Sequence, residues 1–448
     1  MLDPERARTF VQSLVQRATD AGASAVDALY AGDRSSSVSV RMGELEGVSR
    51  SEGERISLRV IVGQRSATIG SSDLSEDSMA TLVERGMAMA RLAPEDPYVG
   101  LAPEDLLATG ALPEIDSDDS VDPDPAELRA RALAAEAAAL AVPGIKNSGG
   151  AGAGASGTAI ALATSTGFVG AYRASGHSHS VSVIAGEGAG MERDHAWHSA
   201  RFLEDLEAAE DVGRRAGERA VARLGSTRPK PGRYPVLFDP RVSSGLLGHL
   251  SSAISGASIA RRTSFLLDRL GDKVFRGEVT IVDDPLRPRG LRSRRFDGEG
   301  VRVARRELVS GGTLNQWIAE SASARQLGIA PTGHATRGGT GAPGVGPSNL
   351  YLKPGRRSRE ELLARFPEAI LVVELIGQGV NGVTGDYSKG AAGFMVRDGA
   401  IAEPVSEITI ASNLIDMFAT MKPASDLEFR KGIDAPTVLI PEMTVAAA

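Results

Sequence analysis

The chain has 448 residues, 42% hydrophobic and 24% charged, with a formal net charge of −7 and no cysteine. That length exceeds one compact core and predicts two or three domains of ordinary soluble composition. The missing cysteine excludes disulfides, thiolate metal ligands and a thiol nucleophile, while the acidic balance and 4% aromatic content argue against a general nucleic-acid binder.

The opening MLDPERARTF is charged from its third residue and has no apolar export-signal core. No run of about 18 apolar residues occurs, so no membrane span is expected, and a cytoplasmic location is the simplest expectation. Asp3 and Pro4 read as the N-cap and first residue of a helix. Phe10, Val11, Leu14, Val15 and Ala18 mark its apolar face, and Gly22 ends it. Strand-like runs begin at Ala25 (AVDALYA), Ser37 (SVSVRM) and Ile56 (ISLRVIV), and a second helix is expected over 75–92.

The stretch 94–125 is rich in Pro, Asp and Glu and reads as a linker or surface loop. An Ala-rich helix is expected at 125–141, strands at 159–164, 168–173 and 178–184, and an amphipathic helix at 204–224. Pro229, Pro231 and Gly232 mark a boundary. Beyond it come the strand YPVLFD, a helix from near Val242, and further strands separated by Gly-rich loops. The expected class is α+β, with an N-terminal α/β region and a β-rich C-terminal domain. The expected segments are 1–105, 106–228 (packed with the first) and 229–448.

Few motifs carry chemistry. Gly152, Gly154 and Gly157 have GxGxxG spacing, but a strand-like run follows where a dinucleotide site needs a helix, so a flexible turn is the expected reading. His177 and His179 share one face of a strand, and with His195 and His198 they form one conceivable metal set; solvated or packed histidines are the alternative. His249, in LLGHLSSAISG, has Ala253 four residues on and no adjacent glutamate, so it lacks a zinc-hydrolase pattern and reads as structural. No GxSxG elbow occurs, and His334 stands alone in a Gly-rich loop. Arg287, Arg289, Arg292, Arg294 and Arg295, followed by Asp297 and Glu299, suggest ion pairs or a partner surface.

The C-terminal half carries VLFDPRVSSGLLGHL, ISGASIARRTSFL, DDPLRPRGLRSRRFDGEG, ARQLG, NLYL, GVNGVTGDYSKGAAGF and EPVSEITIASNL, in that order. This ordered set closely resembles the TldD/TldE family, in its TldE (PmbA) branch, and VSVIAGEGAGMERD extends the likeness through the middle of the chain. The resemblance implies the following. The TldD branch is a zinc peptidase with HExxxH on the helix matching LLGHL, plus a cysteine ligand near the C-terminus. Its two histidines and glutamate fall here on Gly248, Ala253 and His249 respectively, so none of the three is kept. The TldE branch has no metal and pairs with a TldD subunit, which carries the zinc, to cleave unfolded or extended peptides in the cytoplasm. No cofactor is then expected in this chain, which is expected to be inactive alone. Arg292, Arg294, Asp297 and Glu299 in one loop, and Asn381, Asp386 and Tyr387 in another, are candidates for interface or peptide contact, with turn capping as the alternative for Asp386 and Tyr387. Strand addition suits an extended peptide, because main-chain bonds ignore side-chain identity. The alternative function is a non-enzymatic peptide- or protein-binding homodimer, and a homodimer is compatible with the isolated chain in either case. No nucleic-acid or membrane partner is expected.

Overall fold

A computed structural model describes residues 1–338 and 341–447. Gly339, Thr340 and Ala448, the last residue of the third expected segment, lie outside the described residues. The N-terminal part runs α1 (Pro4–Asp20), β1 (Ala25–Arg41), β2 (Glu44–Val62), β3 (Arg65–Ser71), α2 (Glu76–Leu92), α3 (Pro125–Leu140), β4 (Ile145–Thr164), β5 (Val169–Ala185), β6 (Glu192–Ala200) and α4 (Ala209–Ala222). The Asp3 carboxylate accepts from the N–H groups of Glu5 and Arg6, and Pro4 supplies a helical φ without wasting a donor. Ala7, Val11, Leu14, Val15 and Ala18 are buried, and Phe10 is partly buried.

The six strands form one antiparallel sheet, in the order β3-β2-β1-β4-β5-β6. The runs at Ala25 and Ser37 are a single strand, not two. Between them lies GDRSS, which has no apolar alternation, yet its backbone pairs with β2 on one side and β4 on the other. Alternate residues face the helices. Val26, Ala28, Tyr30, Leu58 and Val60 lie under α1 and α2. Farther along the same face, Val38, Val40, Ala151, Ala153 and Val181 lie under α3 and α4. The opposite face presents Leu29 and Leu162 to Phe296 and Val301 of the C-terminal part.

Gly152, Gly154 and Gly157 lie in the middle of β4, so they form neither a flexible turn nor a dinucleotide loop. A Cβ on Gly157 would stand 2.9 Å from Arg34 Nε, so the bare backbone makes room for that side chain. The stretch expected as a linker has one short 3-10 turn, Glu104–Leu106, but it is a tied strap. Leu101, Leu107 and Ile115 are buried, the Ala108 N–H donates to Gly300 O at 2.9 Å, and the Arg289 N–H donates to Ile115 O at 3.0 Å. Helices α3 and α4 approach closely over Gly213 and Gly217. A Cβ at Gly213 would collide with the Ala135 carbonyl, and one at Gly217 would stand 2.6 Å from Val142 Cγ2.

The C-terminal part runs β7 (Gly232–Phe238), α5 (Pro240–Ala253), α6 (Gly256–Ala260), β8 (Ile281–Asp283), β9 (Arg306–Ser310), β10 (Thr313–Leu314), α7 (Ser321–Leu327), β11 (Ala335–Thr336), β12 (Gly344–Val345), β13 (Leu350–Leu352), α8 (Arg359–Leu363), β14 (Glu368–Ile376), β15 (Asp386–Arg397), β16 (Ala400–Asn413), α9 (Leu414–Thr420), β17 (Lys422–Pro423), β18 (Ile433–Asp434) and β19 (Val438–Ala447). Strands β7, β14, β15, β16 and β19 close into a barrel. β7 pairs with β14 in parallel and with β19 in antiparallel, and β16 meets β19 over Ile408–Ala411. Val236, Phe238, Ile370 and Val372 pack with Leu246, Leu247 and Leu250 of α5, while Leu237, Leu371 and Leu439 pack with Leu362 and Leu363 of α8. The architecture is α+β with a β-rich, barrel-containing C-terminal region. No helix among the described residues is long and apolar enough to cross a membrane.

Candidate functional site

Helix α5 starts where the Asp239 carboxylate accepts from the Arg241 N–H and Pro240 fills the first turn. One face, with Leu246, Leu247 and Leu250, is buried in the core; His249 and Ser252 stand on the other side. They line a cleft of about 210 Å³ with Ser258, Thr263, Gln378 and Lys389. The His249 ring meets Tyr387 edge-on, with centroids 6.1 Å apart at 85°, and Tyr387 in turn meets Phe238 at 6.4 Å. Burial, and then the Lys389 ammonium, hold the His249 imidazole below its ordinary pKa. At neutral pH it is therefore a neutral donor and acceptor beside a fixed cation.

The loop 377–385 arches over this cleft. Asn381 Oδ1 accepts from the Val383 N–H at 2.9 Å, and Phe265 N–H donates to Gly382 O at 3.0 Å. The Asp386 carboxylate takes the Thr384 hydroxyl at 2.6 Å and Asn413 Nδ2 at 3.2 Å. Tyr387 is 2% exposed. It packs against the His249 ring and is buried, although peptide contact and turn capping are the two roles expected of it.

The loop of Arg292, Arg294, Asp297 and Glu299 lies elsewhere, at the junction with the N-terminal sheet. Arg292 is exposed, while Asp297 and Glu299 are buried. Asp27 and Arg59 are direct cross-strand partners on β1 and β2. Arg59 reaches Asp27 at 2.5 Å and Glu299 at 3.5 Å, and Arg337 reaches Asp27 at 2.5 Å. Glu299 Oε2 also accepts from the Ser321 N–H at 2.8 Å and the Ser321 hydroxyl at 2.6 Å. Burial opposes ionisation of Asp27, but Arg337 and Arg59 outweigh it and hold the carboxyl below the usual range. Asp297 goes the other way. Burial, and then Glu299, push it up to about 7, although it accepts from the N–H groups of Glu299, Val301 and Ala335.

The four strand histidines do not converge. His179 and His198 are directly opposed across β5 and β6, whereas His195 opposes Ser182 and, three residues from His198, points to the other face. His177 Nε2 is 2.8 Å from the Asp119 carboxylate. His179 is buried with neither ring nitrogen bonded among the described residues, and burial, followed by His198, lowers its pKa to about 4. A base depressed on folding binds its proton more readily when unfolded. Stability is therefore lost as pH falls from the ordinary value of 6.5 towards about 4. His179→Phe is expected to lose less stability than the parent between about pH 7.5 and about pH 5, by on the order of 2 kcal/mol. Thermal melts at the two pH values read this directly, and parallel losses in both proteins would refute it.

The chain resembles known proteins over nearly its whole length. The description "PmbA/TldA metallopeptidase" fits it in three matches: domain 1 over 26–90, the central domain over 118–224 and the C-terminal domain over 231–447. Metalloprotease PmbA of Escherichia coli O157:H7 is 39% identical over 92% of this chain and 89% of its own. The chain belongs to the PmbA/TldE family. A PmbA homologue of Haemophilus influenzae is 36% identical over 98% of this chain and 96% of its own. A Bacteroides thetaiotaomicron structure described as a modulator of DNA gyrase aligns over 100% of both chains, with a TM-score of 0.92 at 25% identity. TldE of Thermococcus kodakarensis, at 19% identity, shares the fold, with a TM-score of 0.88 over 98% of this chain and 100% of its own.

A family of metallopeptidases raises the question of zinc. A catalytic zinc needs three protein donors and an open position. The α5 cleft offers one imidazole, a few hydroxyls and the Lys389 ammonium, and no carboxylate lines it. These residues do not fit the ion. Among the described residues, no group of at least three His, Asp or Glu side chains could hold a metal. Sequence reasoning reached α5 but missed Lys389 and Gln378, which a distant loop and strand bring to it. It also missed the Asp27–Arg59 pair, although each is the sole charge in an apolar strand run, AVDALYA and ISLRVIV.

Proposed function

We propose that this protein is the zinc-free, TldE-like subunit of a two-chain peptidase acting on unfolded or extended peptides in the cytoplasm. The observation that carries the proposal is the donor set of the α5 cleft. Its position matches the HExxxH helix of the TldD branch, yet it presents His249 beside Lys389. One imidazole without a carboxylate cannot hold a zinc-bound hydroxide. The partner supplies the zinc site, and this chain walls the chamber and seats the peptide. The barrel is closed, so strand addition is confined to open edges such as β3 and β6 of the long sheet.

The test is to prepare the chain alone and with a TldD-like partner carrying intact HExxxH, and to measure bound zinc and cleavage of an unfolded peptide. The expected result is no stoichiometric zinc and no cleavage for the isolated chain, with both restored by the partner. Full activity with one zinc per isolated chain would overturn the proposal.

A further inference from the structure

A second cavity of about 260 Å³ lies at the junction and shares no lining residue with the α5 cleft. One wall is the sheet face opposite the helices, with Leu29, Ile160 and Leu162; Phe296 lies across from it. Arg55, Arg294 and Arg337 also line the cavity. Several of their donors are occupied. Arg55 Nη1 donates to Asp33 at 2.6 Å, and Arg294 Nη1 and Nη2 donate to the carbonyls of Ala335 and Gly346, each at 3.2 Å. Arg337 Nε donates to Gly298 O at 2.9 Å, and its Nη2 to Asp27 at 2.5 Å.

Yet each of the three keeps one buried nitrogen with no acceptor among the described residues: Arg55 Nε, Arg294 Nε and Arg337 Nη1. The Arg337 side chain is 4% exposed. An unsatisfied buried donor costs about 1–3 kcal/mol, and native proteins leave few of them. Three guanidinium groups gathered around one cavity suit an acceptor brought from outside. Guanidinium matches a planar carboxylate. Asp297 lines the same cavity and weighs against a dianion such as phosphate. The apolar walls require an apolar body, and the volume lies just under the roughly 300 Å³ at which drug-sized pockets begin.

We propose that this cavity binds a monocarboxylate with an apolar body about the size of one residue, either the C-terminal residue of a peptide or a free small carboxylic acid. The proposal does not depend on the partner subunit. Titration calorimetry of the full chain tests it with N-acetyl-leucine, its amide, and a leucine-ended peptide with a free or an amidated terminus. Free carboxylates are expected to bind at least about tenfold more tightly than the amides. Binding of the free peptide alone identifies chain termini as the source, and binding of N-acetyl-leucine as well identifies free acids; both support the site. Arg294→Gln is expected to abolish the preference. Ala31→Phe, which fills the cavity from β1 and leaves every arginine in place, is expected to abolish binding. Equal affinity for acid and amide, no binding of any probe, or binding that survives Ala31→Phe would overturn the proposal.

Discussion

Arg59→Met is expected to cost about 3–5 kcal/mol, because it leaves Glu299 buried without its cation and Asp27 with only one of its two. The side chains of Asp27, Arg59, Glu299 and Arg337 are all at most 7% exposed, so water cannot take over the lost partner. A surface pair broken in the same way costs at most about 1 kcal/mol. The exposed Arg233–Glu442 pair is the internal control. Because the cluster joins β1 and β2 to residues near 300 and 337, the loss is expected to loosen the junction before the rest. Adding Glu299→Gln to Arg59→Met removes one stranded charge, so the double variant is expected to cost less than the sum of the singles. Urea unfolding of the singles and the double closes the cycle. A cost for Arg59→Met comparable to Arg233→Met would show that the cluster is solvated.

The second large effect concerns helix contact. Gly→Ala in a helix interior ordinarily gains up to about 1 kcal/mol. At Gly213 the sign is expected to reverse. Its Cβ would overlap the Ala135 carbonyl and stand 2.9 Å from the Ala138 Cβ, and backbone cannot swing aside as a side chain can. Overpacking of this kind costs about 1–3 kcal/mol, and Gly213→Val is expected to cost more than Gly213→Ala. Gly245 on α5 is exposed, and a Cβ there meets nothing within 4 Å. Gly245→Ala is therefore expected to stabilise. Melting temperatures of the two alanine variants should move in opposite directions, and a rise in both would rule out close α3–α4 packing.

Local signals survived folding. Asp3-Pro4 begins a helix as expected, because a cap and a fixed φ need only neighbours in sequence, while Asp239-Pro240 starts α5 slightly before the expected Val242. Long-range pairing was not legible. The polar middle of β1 is held by partners more than a hundred residues away on β4, and no local periodicity records that. The glycines of β4 looked like a turn because neither pairing partner is visible from the run itself. The arginine-rich loop suggests ion pairs or a partner surface, but the groups whose network Glu299 joins there, at 27, 59 and 337, are remote in sequence and could not be named from it. For the cleft, the helix was placed by resemblance, but its lining from 378 to 389 depends on how the arch folds back over β15.

The closed barrel has a consequence for biosynthesis. The strands of the long sheet all lie before about residue 200, so its hydrogen-bond ladder can form while the chain is still being made. The barrel cannot. β7 near residue 235 must wait for β19 near residue 440 to leave the ribosome, and until then β7 and β16 each have an unpaired edge. Such non-local closure is slow and exposes a nascent chain to aggregation. A ribosome stalled just short of residue 438 would therefore hold a finished N-terminal sheet beside a sticky, open C-terminal one, and this is the state a chaperone would have to guard.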